Sequence, residues 1–204
     1  MKDADVVVVG AGAAGGAAAF HLARAGRSVI VLEQGQPGGA KPCGGGMAAS
    51  VQRWFPFNLT PAVDQVIRRV RFTWCLEDPV TAELPGEAPF WIVRRSSLDA
   101  FLVQQAIGAG ARFLPGCAVR GVERRDGRWR VHLAAGDAAA PPGGWLQARA
   151  LVIADGSGSR LVAGLGLGPS RPRFATTVSV ELEGEVADPA TAHFAFGLVP
   201  QGFC

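Results

Sequence analysis

Residues 10–15 read Gly10-Ala11-Gly12-Ala13-Ala14-Gly15, a G-x-G-x-x-G spacing, and the next hydrophobic run ends in an acid, Glu33. Each of these residues has a chemical use. Gly10 permits a tight turn, Gly12 lets backbone approach a pyrophosphate, and Gly15 lets a helix pack closely on a strand. A helix after this motif would offer free N–H groups and the positive end of its dipole to phosphate oxygens. Glu33 would accept hydrogen bonds from the hydroxyls of an adenosine ribose. Its charge disfavours a 2′-phosphate at that position, which speaks against NADP here.

These residues act only if the right elements hold them. Residues 5–9 are a short β-branched run stopped by glycine and read as a buried strand. Residues 17–25 read as a helix with Gly26 at its C-terminal cap, and residues 28–32 as a second strand. Ala19 and Leu22 would face the sheet, while His21 would be a packing or surface residue. The motif therefore sits between strand and helix in a βαβ unit with an acid after the second strand, the context that dinucleotide binding requires. A glycine-rich turn in another α/β fold is the alternative.

Composition bounds the rest. The chain has 204 residues, 49% of them hydrophobic and 18% charged, enough apolar material for a core. Twenty Lys+Arg against seventeen Asp+Glu leave a net charge of +3, no electrostatic case for nucleic acid or an anionic membrane. The cysteines, Cys43, Cys75, Cys117 and Cys204, form no C-x-x-C pair and no zinc spacing with His. They read as thiols in a reducing, cytoplasmic compartment, and no metal is expected. The uncharged run 6–20 falls short of the ~20 residues of a membrane helix and is broken by glycines.

The βαβ unit alone does not choose between FAD and NAD. Three later stretches bear on it: Lys41-Pro42-Cys43-Gly44-Gly45-Gly46 after a Gly/Pro-rich loop at 35–40, Arg94-Arg95-Ser96-Ser97-Leu98-Asp99 opening a helix to about residue 109, and Leu151-Val152-Ile153-Ala154-Asp155-Gly156. Ser96 or Ser97 would cap that helix, and Asp99 would suit its first turn. With these the sequence resembles the geranylgeranyl reductase family of FAD-dependent oxidoreductases, within the group sharing the para-hydroxybenzoate hydroxylase fold. The βαβ unit, the R-x-x-F-D helix start (Leu98 standing for Phe) and the Ala154-Asp155-Gly156 strand end are common to the group. K-P-C-G-G-G marks the reductases.

The resemblance implies an α/β fold: a Rossmann-like FAD-binding domain at 1–69 and 96–167, and a discontinuous, mostly antiparallel β substrate domain at 70–95 and 168–204. It implies FAD, with Gly10, Gly12, Ala13, Ala14 and Gly15 on the pyrophosphate and Glu33 on the ribose. Cys43, Gly44 and Gly46 would lie on the flavin side, Arg95 on the phosphates or ribitol, and Val119 against adenine through its backbone. Asp155 and Gly156, at the strand end common to the group, would also bind the cofactor. Cys43 is the catalytic candidate: its thiol would donate a proton to a reacting double bond, or only fit a tight loop.

The activity implied is reduction of isoprenoid, geranylgeranyl-type double bonds by hydride from reduced flavin. A prenyl small molecule or lipid would be the substrate, with NADPH or a ferredoxin-like carrier as electron donor. No second G-x-G-x-x-G is present to hold NADPH. Contact with a membrane would be peripheral at most. A flavin-dependent hydroxylase or halogenase, or a dinucleotide-binding module without turnover, are the alternatives. Gly202-Phe203 looks like the start of the family's G-Y/F-x-W-x-F-P segment, so the chain reads as an N-terminal portion.

The remaining elements follow from pattern. Residues 70–76, 80–83 and 90–94 read as short strands, as do 113–114, 118–123 and 128–133, the last two joined by a hairpin at Asp126-Gly127. Residues 138–144 read as a loop, 160–165 as a short helix, and 174–183 as a strand with Val178, Val180 and Leu182 on one face. Arg124, Arg125, Arg128 and Arg130 read as a solvated hairpin edge, or as a docking patch for an electron donor. Trp54-Phe55-Pro56-Phe57 and Phe90-Trp91 read as core, or as the wall of an apolar tunnel.

Overall fold

The computed structural model describes residues 3–204 apart from 37, 40, 88, 135–140, 142, 170, 172 and 201. Parts of the loops expected at 35–40 and 138–144 thus lie outside the described residues. The chain divides into two compact units, Met1–Lys41 with Arg95–Thr176, and Pro42–Arg94 with Thr177–Cys204.

The first unit is built on a six-stranded sheet in the order β8-β2-β1-β11-β10-β9. Strands β1 (Asp3–Val9), β2 (Val29–Glu33), β8 (Arg112–Pro115) and β11 (Trp145–Ile153) run parallel. Central β1 aligns Val7 with Ile30 on one side and Leu151 on the other. A strand flanked on both edges and covered on both faces is apolar throughout, which is why β1 reads V-V-V-V rather than alternating. Strands β9 (Val119–Arg125) and β10 (Arg128–Leu133) add antiparallel to β11. Their turn, Asp126-Gly127, has φ of +51° and +74°, the left-handed pair a two-residue hairpin needs. Val7, Ile30, Leu32, Val131, Leu146 and Ala148 form the core. The expected α/β fold with a parallel sheet and βαβ unit is borne out. β11 begins before the strand expected over 151–156 and ends at Ile153; its first half also serves the antiparallel side, Val131 facing Leu146.

Two helices pack beside this sheet, α1 (Ala13–Arg24) and α2 (Arg95–Gly108); a third, α3 (Arg160–Gly164), follows β11. A Cβ on Gly16 would lie 3.0 Å from Leu102 Cβ and 3.5 Å from its carbonyl carbon, so Gly16 sets the α1–α2 approach. Ala19 is buried on α1 and Leu22 half-buried. α2 begins at Arg95, so Ser96 and Ser97 sit inside its first turn instead of capping it.

The second unit holds two three-stranded sheets. In one, β7 (Phe90–Ile92) lies between β3 (Gly46–Ala48) and β4 (Gln65–Ile67), antiparallel to both. In the other, β5 (Arg69–Trp74) pairs antiparallel with β6 (Glu77–Glu83) and parallel with β12 (Thr191–Phe196). The expected boundary at 69/70 moves to 41/42, because β3 and β4 take their hydrogen bonds from β7. The strand expected at 174–183 forms no ladder among the described residues, and Val178, Val180 and Leu182 are exposed. Its alternation supplies a face but no neighbour supplies hydrogen bonds; the free edge of β5 is taken by β12. Of the aromatic clusters, Trp91 is buried, Phe55 and Phe57 pack on each other, and Trp54 is exposed with Arg53 over its ring.

Candidate dinucleotide site

The site starts where three backbone segments of the first unit meet. β1 ends at Val9, and Gly10 turns the chain with φ +95° while its N–H donates to the Leu32 carbonyl at 2.8 Å. A Cβ on Gly10 would collide with the Ala154 carbonyl, and one on Gly15 with the Gly10 carbonyl. The spacing is thus demanded by close backbone approach of β1, β11 and α1. Gly12 precedes α1 in extended conformation and offers no side-chain cap, so the first-turn N–H groups receive no acceptor from it.

A cavity of about 730 Å³ opens in front of this turn. Gly10, Gly12, Ala13, Ala14, Glu33, Arg95, Val119, Asp155 and Gly156 all line it, while Gly15 lies behind the turn. The Glu33 carboxylate accepts from the Ala11 N–H at 2.8 Å and the Gly35 N–H at 3.2 Å, which fixes it at the end of β2. Asp155 and Gly156 follow β11, held by the Ala154 N–H donating to the Val9 carbonyl at 2.7 Å.

Other lining residues escaped the sequence reading: Lys41, Arg120, and Ser157 to Leu161 around the start of α3. The run Ser157-Gly158-Ser159, small and polar after a strand end, was a usable signal. Ser159 caps α3 by accepting from the Val162 N–H at 3.1 Å. Asp99 stands behind this lining. It is 1% exposed and lies beyond the first turn of α2, so the dipole role expected for it does not apply. It accepts two hydrogen bonds from Arg95, from Nε and Nη2 at 3.0 Å each, and faces Lys41 Nζ at 3.5 Å. The i,i+4 spacing of Arg95 and Asp99 was legible in advance.

Cys43, Gly44 and Gly46 belong to the second unit. Cys43 is exposed and its Sγ accepts from the Gly45 N–H at 3.4 Å. A Cβ on Gly45 would collide with the Val93 carbonyl, and one on Gly46 would come within 2.7 Å of the Phe90 ring. The glycines at 45 and 46 therefore answer to β7 and the residue after it. Gly44 has open space. Among the described residues no cluster of three or more metal-ligating side chains occurs, and no helix is long and apolar enough to cross a membrane.

Residues 5–77 match the model of the FAD dependent oxidoreductase family. The cofactor is FAD. The residues present fit it: a turn with no room for a Cβ at Gly10 or Gly15, an uncapped helix start for the diphosphate, and a fixed carboxylate at the end of β2. Over 176 residues the chain is 35% identical to the probable electron transfer flavoprotein-quinone oxidoreductase YdiS of Escherichia coli K12, covering 81% of this chain and 39% of the relative. The chain therefore spans well under half of that protein's length. A geranylgeranyl bacteriochlorophyll reductase-like protein from Thermoplasma acidophilum superposes with a TM-score of 0.75 at 20% identity, over 97% of this chain and 51% of that one. The halogenase PltM, in complex with phloroglucinol and FAD, gives 0.62 at 18% identity, over 80% of this chain and 36% of its own. At such identities these structures share the fold.

Proposed function

We propose that the whole protein is an FAD-dependent oxidoreductase that moves electrons between a protein carrier and a quinone. The observation that carries this reading is the 35% identity, over 81% of the chain, to a probable electron transfer flavoprotein-quinone oxidoreductase. Bound FAD supplies a ring that takes and gives electrons. The chain's own residues hold it. Gly10, Gly12 and Gly15 admit the diphosphate, and the α1 N–H groups at Ala13 and Ala14 bind it. Glu33 orients the adenosine ribose, Val119 borders the adenine through its backbone, and Arg95 meets the phosphates or ribitol. Asp155 and Gly156 close the side formed by the end of β11.

A second reading is reduction of an isoprenoid double bond, favoured by the K-P-C-G-G-G segment and by the fold shared with a geranylgeranyl reductase-like protein. It needs an acid to protonate the second carbon, and Cys43 is the candidate. Electron transfer to a quinone asks nothing of that thiol.

Anaerobic stopped-flow on the reduced whole protein separates the two. Fast reoxidation by a water-soluble benzoquinone, unchanged in Cys43→Ala, is the expected result. Reoxidation by geranylgeranyl diphosphate alone, lost in Cys43→Ala, would replace the quinone reading with the alkene one. No reoxidation by either would end both.

A further inference from the structure

We infer that Asp99 is a positioning residue which holds Lys41 and Arg95 as a two-cation clamp over Gly12, and that Lys41 is a second phosphate-binding cation for the cofactor's diphosphate. The inference rests on the cofactor reading of the cavity. It starts from a convergence. A Cβ on Gly12 would have Lys41 Nζ at 3.2 Å, Arg95 Nη2 at 3.5 Å and Asp99 Oδ2 at 3.7 Å. Lys41 and Arg95 both line the cavity, while Asp99 is buried behind them.

The charges are arranged against their own interest. Arg95 is the first residue of α2, where the helix dipole repels a cation. Gly12 faces Arg95 and Asp99 while Gly16 faces Leu102, so α1 and α2 start at the same end and present two positive dipole ends together. Asp99 already takes a bidentate guanidinium, which alone neutralises it. Lys41 then adds a surplus positive charge beside an uncapped helix start. Within this triad two cations and one carboxylate leave +1 beside the helix N-termini. This is unfavourable in an empty turn and favourable around a diphosphate, which carries more charge than the helix end of α1 can match. A carboxylate buried beside the cations holds Arg95 through two hydrogen bonds and draws Lys41 to one of the same oxygens, so less ordering remains when the ligand arrives.

The test is calorimetry on the apo whole protein with ADP, AMP and FAD across a salt series. Wild type should bind ADP more tightly than AMP. Lys41→Gln, at a half-exposed position, should weaken ADP by about tenfold, weaken AMP less, and flatten the salt dependence of ADP binding. Asp99→Asn should weaken ADP similarly. Combined with Lys41→Gln it should cost less than the sum of the two, and Asp99→Glu should restore part of the loss. A role for Asp99 in packing alone would lower the melting temperature and leave the salt slope unmoved. Unchanged ADP affinity and salt slope in Lys41→Gln would overturn the clamp while FAD binding stands. If wild type bound neither ADP nor FAD, the cavity reading would fall first and the clamp with it.

Discussion

The two units differ in how their strands are covered: the second buries Leu59, Ile67 and Trp91 but leaves the faces of β5, β6 and residues 178–182 open. In the first, the V-V-V-V of β1 and the I-V-L of β2 are buried, and the largest fully buried side chains include Ile30, Leu32 and Leu146. In the second, Trp74, Val80, Val178, Val180 and Leu182 all stand more than 60% exposed. Yet the second unit has as clear a period of two, in β5 and in residues 178–182, as any strand of the first. The difference teaches that alternation specifies a face and not a partner. A strand is made where neighbouring backbone supplies its hydrogen bonds, and its side chains gain only where something covers them.

The sharpest way to break this comparison is at the turn that organises the first unit. Gly15→Val drives a side chain into the Gly10 carbonyl. It should cost about 3 kcal/mol or more and abolish FAD retention, checked by thermal melts and flavin absorbance. Next in size are matched truncations. Leu146→Ala, in the core of the first unit, should cost about 3 kcal/mol in urea unfolding, and Leu182→Ser in the second about 0.5 kcal/mol or less. Equal costs would show that the exposed face is covered in solution. Glu33→Gln weakens two bonds from backbone N–H groups, at Ala11 and Gly35. A loss of about 1.5 kcal/mol is expected, with weaker FAD binding by calorimetry.

The smallest effects are in acid, one in each unit. The Ser28 backbone N–H, and then its hydroxyl, hold the Asp5 carboxyl below its ordinary value of 3.8. In the second unit the Thr191 hydroxyl, and then Arg69, do the same for Asp188. A depressed folded pKa adds stability that is present above the unfolded value and lost as pH falls through the folded one. Asp5→Asn and Asp188→Asn should each therefore reduce the drop in melting temperature below about pH 4 and leave its slope at neutral pH unaltered. A variant whose acid response matches wild type would remove that residue from the account.

Much of the candidate site was legible because it is local. Glycine spacing, the run before it and the acid after β2 lie within 33 residues and describe one βαβ unit. The Asp126-Gly127 hairpin and the short helix at Arg160 are local in the same sense. Lys41 was missed because nothing in K-P-C-G-G-G says that its first residue lies with the first unit and the rest with the second. Gly16 was missed because its reason, the backbone of Leu102, is far away in sequence.

By itself, then, the sequence determined the parallel βαβ unit, the glycine turn and the carboxylate beyond it, since each depends on φ freedom, burial pattern and charge within a short stretch. Only the tertiary structure decided which strands found partners: β12 beside β5, residues 174–183 beside none of the described strands. It alone brought Lys41, Arg95 and Asp99 over Gly12. Those outcomes depend on long-range backbone pairing and on charges from distant segments, and no local pattern carries either.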